Sequence, residues 1–131
     1  MGGIDVIFGG FGTGVKLTNG LIFGGGDKGV EAGGSPNILI TDVFAFNNVG
    51  DDYDSGSTIT LVNTASEDLT GDFTGYTSSE LVDFAGGDYR TKAASDLATL
   101  GSGGSFIGAF LEVSSGVTVT GVYYQTLMAG N

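Results

Sequence analysis

Apolar residues occur in short runs separated by glycine-rich and polar segments, a pattern that predicts a chain made mostly of β-strands. The clearest strand is Ile38–Phe46, which is apolar at nearly every position. Simple alternation assigns its apolar residues to two faces, one with Ile38, Ile40, Phe44 and Phe46 and the other with Leu39, Val43 and Ala45. A strand that is apolar on both faces is predicted to be buried on both faces.

Two hairpins are predicted from turn residues that lie between apolar runs. Asn19-Gly20 separates residues 15–17 from residues 21–23, and Asn-Gly between apolar runs is a strong hairpin signal. A Ser-Ser-Gly turn likewise separates two further predicted strands, residues 106–113 and 117–126.

Residues 91–100 carry alanine and leucine at helical spacing, with Gly101 just beyond, and predict one short helix. The remaining runs give roughly seven to nine short strands, the pattern of a β-sandwich or jelly roll with antiparallel sheets. We therefore expect a single β-rich domain over residues 1–131. No fixed repeat period is visible in the sequence, so a solenoid or propeller is not predicted.

Composition indicates a folded chain without a nucleic-acid or membrane partner. Hydrophobic residues make up 40% of the 131 residues, which is more than disordered chains carry. The formal charge of −11 repels phosphate backbones and anionic lipids. No apolar stretch approaches the roughly 20 residues that span a bilayer.

The chain contains neither histidine nor cysteine, which excludes Ser-His-Asp and Cys-His catalysis, histidine-ligated zinc and thiol chemistry. We therefore predict a protein that is not an enzyme and that needs no cofactor, with Ca²⁺ as the exception to consider. Clustered carboxylates at Asp51, Asp52 and Asp54 are the candidate Ca²⁺ ligands, because a hard cation relieves their mutual repulsion. The alternative for this segment is a solvated acidic turn.

Two segments are candidate interfaces. Residues 1–8 place a glycine pair before Ile4 and Val6, which suits an assembly arm that adds a strand to a neighbour's sheet, or else an ordinary first strand. Tyr123 and Tyr124 point to opposite faces of the predicted last strand, so one ring is a candidate interface anchor.

The two-sided apolar strands require a cover, which either the protein's own helix and loops or neighbouring subunits supply. The low charge content of 15% favours neighbouring subunits, and hence an oligomeric or assembling protein.

In overall character the chain resembles the small Gly/Ser/Thr-rich virion proteins of tailed bacteriophages, of the capsid decoration (cement) type. The likeness lies in the Met1 start, the acidic balance, the absent cysteine and the β-rich residues 106–126. It implies a homo-oligomer on a capsid, assembled in the host cytoplasm and located in the virion. The alternatives are a calcium-assisted carbohydrate- or surface-binding β-sandwich module and an extracellular filament or surface-layer subunit.

Overall fold

The computed structural model of the chain describes residues 6–9, 15–33, 37–54 and 59–113. The protein is mostly β, as predicted, but its strands form mostly parallel sheets stacked as a β-solenoid of about four turns. One described pair, Leu81–Asp83 with Asp88–Thr91, is antiparallel. The predicted β-sandwich or jelly roll with antiparallel sheets is therefore wrong. The single helix expected near residues 91–100 is also wrong, because that stretch holds only a 3₁₀ turn, Asp96–Ala98.

Ten strands lie in the described part of the chain. They are β1 (Val6–Gly9), β2 (Val15–Phe23), β3 (Val30–Gly33), β4 (Ile38–Phe46), β5 (Ile59–Val62), β6 (Ala65–Ser66), β7 (Phe73–Thr74), β8 (Leu81–Asp83), β9 (Asp88–Thr91) and β10 (Phe110–Leu111). Three 3₁₀ turns, Ser78–Glu80, Asp96–Ala98 and Ser102–Gly104, lie between the later strands. Among the described strands, β7 is an edge strand of the five-stranded sheet.

The solenoid is built by parallel pairing of each coil with the next. Val15 pairs with Ile38 and Ile38 with Ile59, steps of 23 and 21 residues. The second half of β4 pairs with β6, and β6 pairs with β7. On the other side of the coil, β1 pairs with β3, and a bridge joins Val30 to Tyr53. The first two coils thus each contain one short strand and one long bent strand, and in the third coil β5 and β6 take the place of the long strand.

The long strands bend at a residue with positive φ. Asn19, Asp42 and Asn63 follow the fourth strand residue of successive coils, with φ values of 51°, 57° and 51°. Asn and Asp accept this left-handed conformation more readily than most residues. Asn19-Gly20 therefore bends a continuous strand, and the predicted hairpin there is wrong.

The bend also changes which side chains share a face of β4. The apolar interior divides into two clusters on opposite sides of the bent strands. One fills the coils and contains Ile22, Val30, Ile38, Ile40, Val43, Ala45 and Tyr53. The other contains Phe44, Phe46, Ala65, Leu81, Leu97 and Ile107. The predicted faces of Ile38–Phe46 are wrong beyond Asp42, because the positive φ there shifts the alternation.

Residues 78–113 pack against the outer side of the second half of the long strands. The rings of Phe23, Phe46 and Phe84 lie with centroids 5.0 to 5.3 Å apart. In place of the predicted strand 106–113 the structure has only β10, which pairs in parallel with β9. The predicted strand 117–126 and its hairpin turn lie outside the described residues.

The expectation that no solenoid would form was wrong because the repeat is short and differs in length and residue type from one coil to the next. What recurs is an apolar residue at the first and third positions, then an Asn or Asp at the bend. The connecting turns differ in length, and this hides the period. Within the described residues, no helix is long and apolar enough to cross a membrane.

Candidate assembly site

The bend residues form a column that binds the segment packed beside it. Asp42 is buried, and its Oδ1 accepts hydrogen bonds from the backbone nitrogen of Ser102 at 2.8 Å and from its hydroxyl at 3.1 Å. Asn63 Nδ2 donates to the same hydroxyl at 3.2 Å. Ser102 is therefore fixed to the bends of the second and third coils.

The bend of the first coil binds the same segment further along. Asn19 Nδ2 lies 3.3 Å from the carbonyl oxygens of both Phe106 and Gly108. Gly108 has a φ of 125°, and an added Cβ would stand 2.5 Å from Thr91 Oγ1 and 3.7 Å from Leu21 Cδ2. The chain thus passes from the third coil at Ser102 to the first coil at Gly108.

The three predicted metal ligands lie in one turn but are held by different partners. Asp52 is 2% exposed and accepts from Asn48 Nδ2 at 2.8 Å. Asp54 forms an ion pair with Lys28 at 3.1 Å, and Asp51 is exposed. Among the described residues, no three His, Cys, Asp or Glu side chains are grouped so that they could hold a metal ion. Calcium binding by this turn stays a prediction.

Asp52 instead ties one coil to the next. Its Oδ2 accepts the backbone N–H groups of Glu67 and Asp68 at 2.8 and 3.2 Å. In return, Asp68 Oδ2 accepts the backbone N–H of Asp52 at 2.8 Å, and Asp68 Oδ1 accepts from Thr70. Beside them, the buried Tyr53 hydroxyl lies 2.9 and 3.0 Å from the carbonyl oxygens of Val43 and Ala65. Hydrogen bonds of this turn therefore form a network that links one coil to the next.

The two carboxylates of this network have pKa values shifted in opposite directions. Burial raises the pKa of Asp52, and the hydrogen bonds from Asn48 and the backbone only partly offset that effect. Burial acts the same way on Asp68, but the hydrogen bonds from Thr70 and from the Asp52 N–H outweigh it and lower the pKa of Asp68.

Among the described coils, the first lies at one end of the stack, and β2 is its long strand. Within the described residues, β2 pairs with β4 along one side only. Four apolar positions of β2 are half-buried, whereas the matching positions of β4 are fully buried. The matched pairs are Val15 with Ile38, Leu17 with Ile40, Leu21 with Phe44 and Phe23 with Phe46. We call the unpaired side of β2 the open edge.

Backbone direction shows which groups line the open edge. The N–H of Val15 bonds to the carbonyl of Asn37, so Val15 directs its backbone groups toward β4. Because alternate residues of a strand direct their N–H and C=O to opposite sides, those of Lys16 and Thr18 face the open edge. The edge thus presents donors and acceptors beside a partly uncovered apolar interior.

The interface residues predicted from the sequence were Ile4, Val6, Tyr123 and Tyr124. Val6 lies in β1, whose backbone pairs with β3, so residues 6–9 form an ordinary strand of the coil. Ile4, Tyr123 and Tyr124 lie outside the described residues, and their interface role stays a prediction. The open edge was missed, although the recurrence of Leu17-Thr18-Asn19 as Ile40-Thr41-Asp42 could have revealed it.

No protein-family model, curated protein or solved structure matches this chain. The geometry of the described residues is therefore the basis for a functional proposal.

Proposed function

We propose that this protein is a non-enzymatic structural subunit of a larger assembly, and that it joins that assembly through the open edge of β2. The observation that carries the proposal is the difference between β2 and β4. Ile38 and Ile40 are fully buried, whereas their β2 counterparts are only half-buried. A further strand on the open edge would give β2 the environment that β4 already has.

Such an edge favours association for two physical reasons. Its unpaired N–H and C=O groups are a template for an added strand. Main-chain hydrogen bonds supply the affinity in this mode of recognition, and alternate side chains supply the specificity. The exposed parts of Val15 and Leu17 add apolar area that leaves water on pairing, at about 25 cal/mol per Å².

The chemistry of the chain supports a structural role over catalysis. It contains no histidine or cysteine, and the buried acids described above are engaged in hydrogen bonds between coils. The more specific assignment to a bacteriophage virion stays a prediction from the character of the sequence. The same holds for the calcium-assisted carbohydrate-binding and surface-layer alternatives.

Sedimentation velocity over a range of micromolar concentrations tests the proposal. The parent protein is expected to associate with increasing concentration. Lys16→Pro removes an N–H that faces the open edge, and proline is tolerated at such positions. We expect this variant to sediment as a monomer while its far-UV circular dichroism stays close to that of the parent.

The matched control is Lys16→Ala, which removes the same side chain but keeps the N–H and is expected to associate like the parent. A parent protein that remains monomeric at every concentration would overturn the proposed function.

A further inference from the structure

Asn19, at the bend of the first coil, is the only asparagine of the chain that is followed by glycine. In such a pair the backbone nitrogen of the glycine can attack the side-chain amide carbon of the asparagine, because glycine has no Cβ to block the approach. Asn19 is exposed to water. Apart from its chain neighbours, an added Cβ on Gly20 would meet no heavy atom within 4 Å. The surroundings of the pair therefore leave room for the reaction.

Asn63, at the equivalent bend of the third coil, shows what protects an asparagine in this position. Both residues have a φ of 51°, and both donate through Nδ2 to the segment of residues 102–108. However, Asn63 is followed by Thr64, which is fully buried and β-branched. The N–H of Thr64 also donates to Asp72 Oδ2 at 3.1 Å. The nitrogen of Thr64 is thus shielded and engaged, so the reaction is expected at Asn19 and not at Asn63.

The amide of Asn19 is matched to partners that only accept hydrogen bonds. Its Nδ2 lies 3.3 Å from the carbonyl oxygens of Phe106 and Gly108. At the next bend, Asp42 instead accepts from the N–H and the hydroxyl of Ser102. A carboxylate suits the second bend because its partners are donors, and an amide suits the first because its partners are acceptors. A carboxylate at position 19 would therefore face two further acceptors.

We propose that Asn19 is a site of spontaneous deamidation, and that the reaction releases residues 106–108 from the bend of the first coil. The backbone nitrogen of Gly20 forms a bond to Asn19 Cγ, and the bond from Cγ to Nδ2 breaks. The side-chain nitrogen leaves as ammonia and takes up, through water, the proton of the Gly20 N–H. Water then opens the resulting succinimide at either carbonyl, which gives aspartate or isoaspartate. This inference goes beyond the proposed function and does not depend on it.

Both products change the contacts of the bend. Aspartate replaces the Nδ2 donor with an acceptor that faces the carbonyl oxygens of Phe106 and Gly108, so both hydrogen bonds are lost. Isoaspartate also adds a carbon to the main chain between Thr18 and Gly20, both of which pair with β4. Deamidation therefore weakens the contact between the first coil and the segment packed beside it.

Peptide mass spectrometry of the aged full-length protein tests the site of the reaction. The parent is incubated under mildly alkaline conditions, which favour loss of the backbone amide proton, and the conversion of Asn19 and Asn63 is followed over time. Deamidation is recognised by the mass gained when the amide NH₂ becomes OH. We expect Asn19 to be converted several-fold faster than Asn63. Gly20→Ala adds a Cβ that meets no heavy atom beyond its chain neighbours, and it should slow the conversion of Asn19 several-fold.

The variant Asn19→Asp tests the structural consequence. Asp accepts the same positive φ as Asn, so the difference between this variant and the parent reports on the side-chain contacts rather than on the bend. Native-state hydrogen exchange of the amides of residues 106–108 should be several-fold faster in the variant. Exchange at residues 59–62 of β5, which lie in the third coil, should be unchanged.

Two results would overturn the assignment of the site: equal conversion of Asn19 and Asn63, or conversion of Asn19 in Gly20→Ala at the parent rate. Unchanged exchange at residues 106–108 in Asn19→Asp would overturn the release of that segment. None of these results bears on the proposed function, which the sedimentation experiment tests separately.

Discussion

The two halves of β4 have the same apolar character but different surroundings. In residues 38–41 one face fills the coil, while Leu39 and Thr41 on the other face remain partly exposed. In residues 43–46 both faces are fully buried, because Phe44 and Phe46 contact the cluster that includes Leu97 and Ile107. The bend at Asp42 separates the two environments.

The comparison shows what can cover a strand that is apolar on both faces. The sequence predicted burial on both faces of Ile38–Phe46, and this prediction is correct for the second half only. The cover comes from residues 78–113 of the same chain, so for β4 no neighbouring subunit is required. The case for assembly rests on β2, whose apolar positions are less buried than those of β4.

The largest expected effect comes from truncating the outer face of the second half. Phe44→Ala should lower the free energy of unfolding by about 3–5 kcal/mol, because it leaves a cavity in a fully buried cluster. Leu39→Ala, on the outer face of the first half, should cost less than about 1.5 kcal/mol. Urea denaturation measures both, and equal losses would mean that the two halves do not differ as described.

A substitution at the bend should rank second. Asp42→Val removes the hydrogen bonds to Ser102 and places a β-branched residue at a φ of 57°, at a cost of about 2–3 kcal/mol. Asp42→Asn keeps an acceptor oxygen and accepts the same φ, so it should cost clearly less. If valine were tolerated as well as asparagine, the bend would not depend on its residue.

A smaller effect on folding stability, which depends on pH, is expected in the turn of residues 51–54 that follows β4. Since the pKa of Asp52 is raised, its ionised form opposes folding, and the parent should gain stability relative to Asp52→Asn as pH falls through that pKa. Since the pKa of Asp68 is lowered, its ionised form favours folding above the ordinary Asp value. The parent should therefore lose stability relative to Asp68→Asn as pH falls through the lowered pKa.

Urea denaturation of the parent and both variants between about pH 3 and pH 7 would measure these two trends. If the stability of the parent relative to Asp52→Asn and its stability relative to Asp68→Asn changed in the same direction with pH, the assigned roles of the two carboxylates would be contradicted.

The smallest effect is expected at the exposed face of the first half. Thr41→Val keeps the β-branched shape and alters only an outward hydroxyl, so stability should change by no more than about 0.5 kcal/mol. Thermal unfolding of the variant measures it. A large loss would show that this face is covered in solution and would break the contrast between the two halves.

Some of the fold was predictable from residue patterns, and the rest depended on backbone conformation. The extent of Ile38–Phe46 was predicted correctly, because a run of apolar, β-branched and aromatic residues has few alternatives. The bend at Asp42 was not, because a single Asp within a strand usually indicates an exposed position or an edge. Positive φ at Asn19 gave the same local signal as a hairpin, and only the pairing partner distinguishes the two.

The candidate site was harder to predict than the strands. The acidic residues near Asp52 suggested a cation, but their oxygens accept backbone N–H groups across a coil boundary, a partner that is distant in sequence. The open edge is the side of β2 with which no described strand pairs, and local residue patterns do not record strand pairing. Matching the pattern of β2 against β4 was the available signal.

The column of bends makes a whole coil, rather than a single residue, the unit by which this solenoid can change length. One residue inserted before Asp42 would move every following side chain of β4 to the opposite face. A tandem duplication of 21 to 23 residues would instead place a new bend in line with Asn19, Asp42 and Asn63. During evolution, such a chain can gain or lose complete coils while the strand register between the remaining coils is preserved.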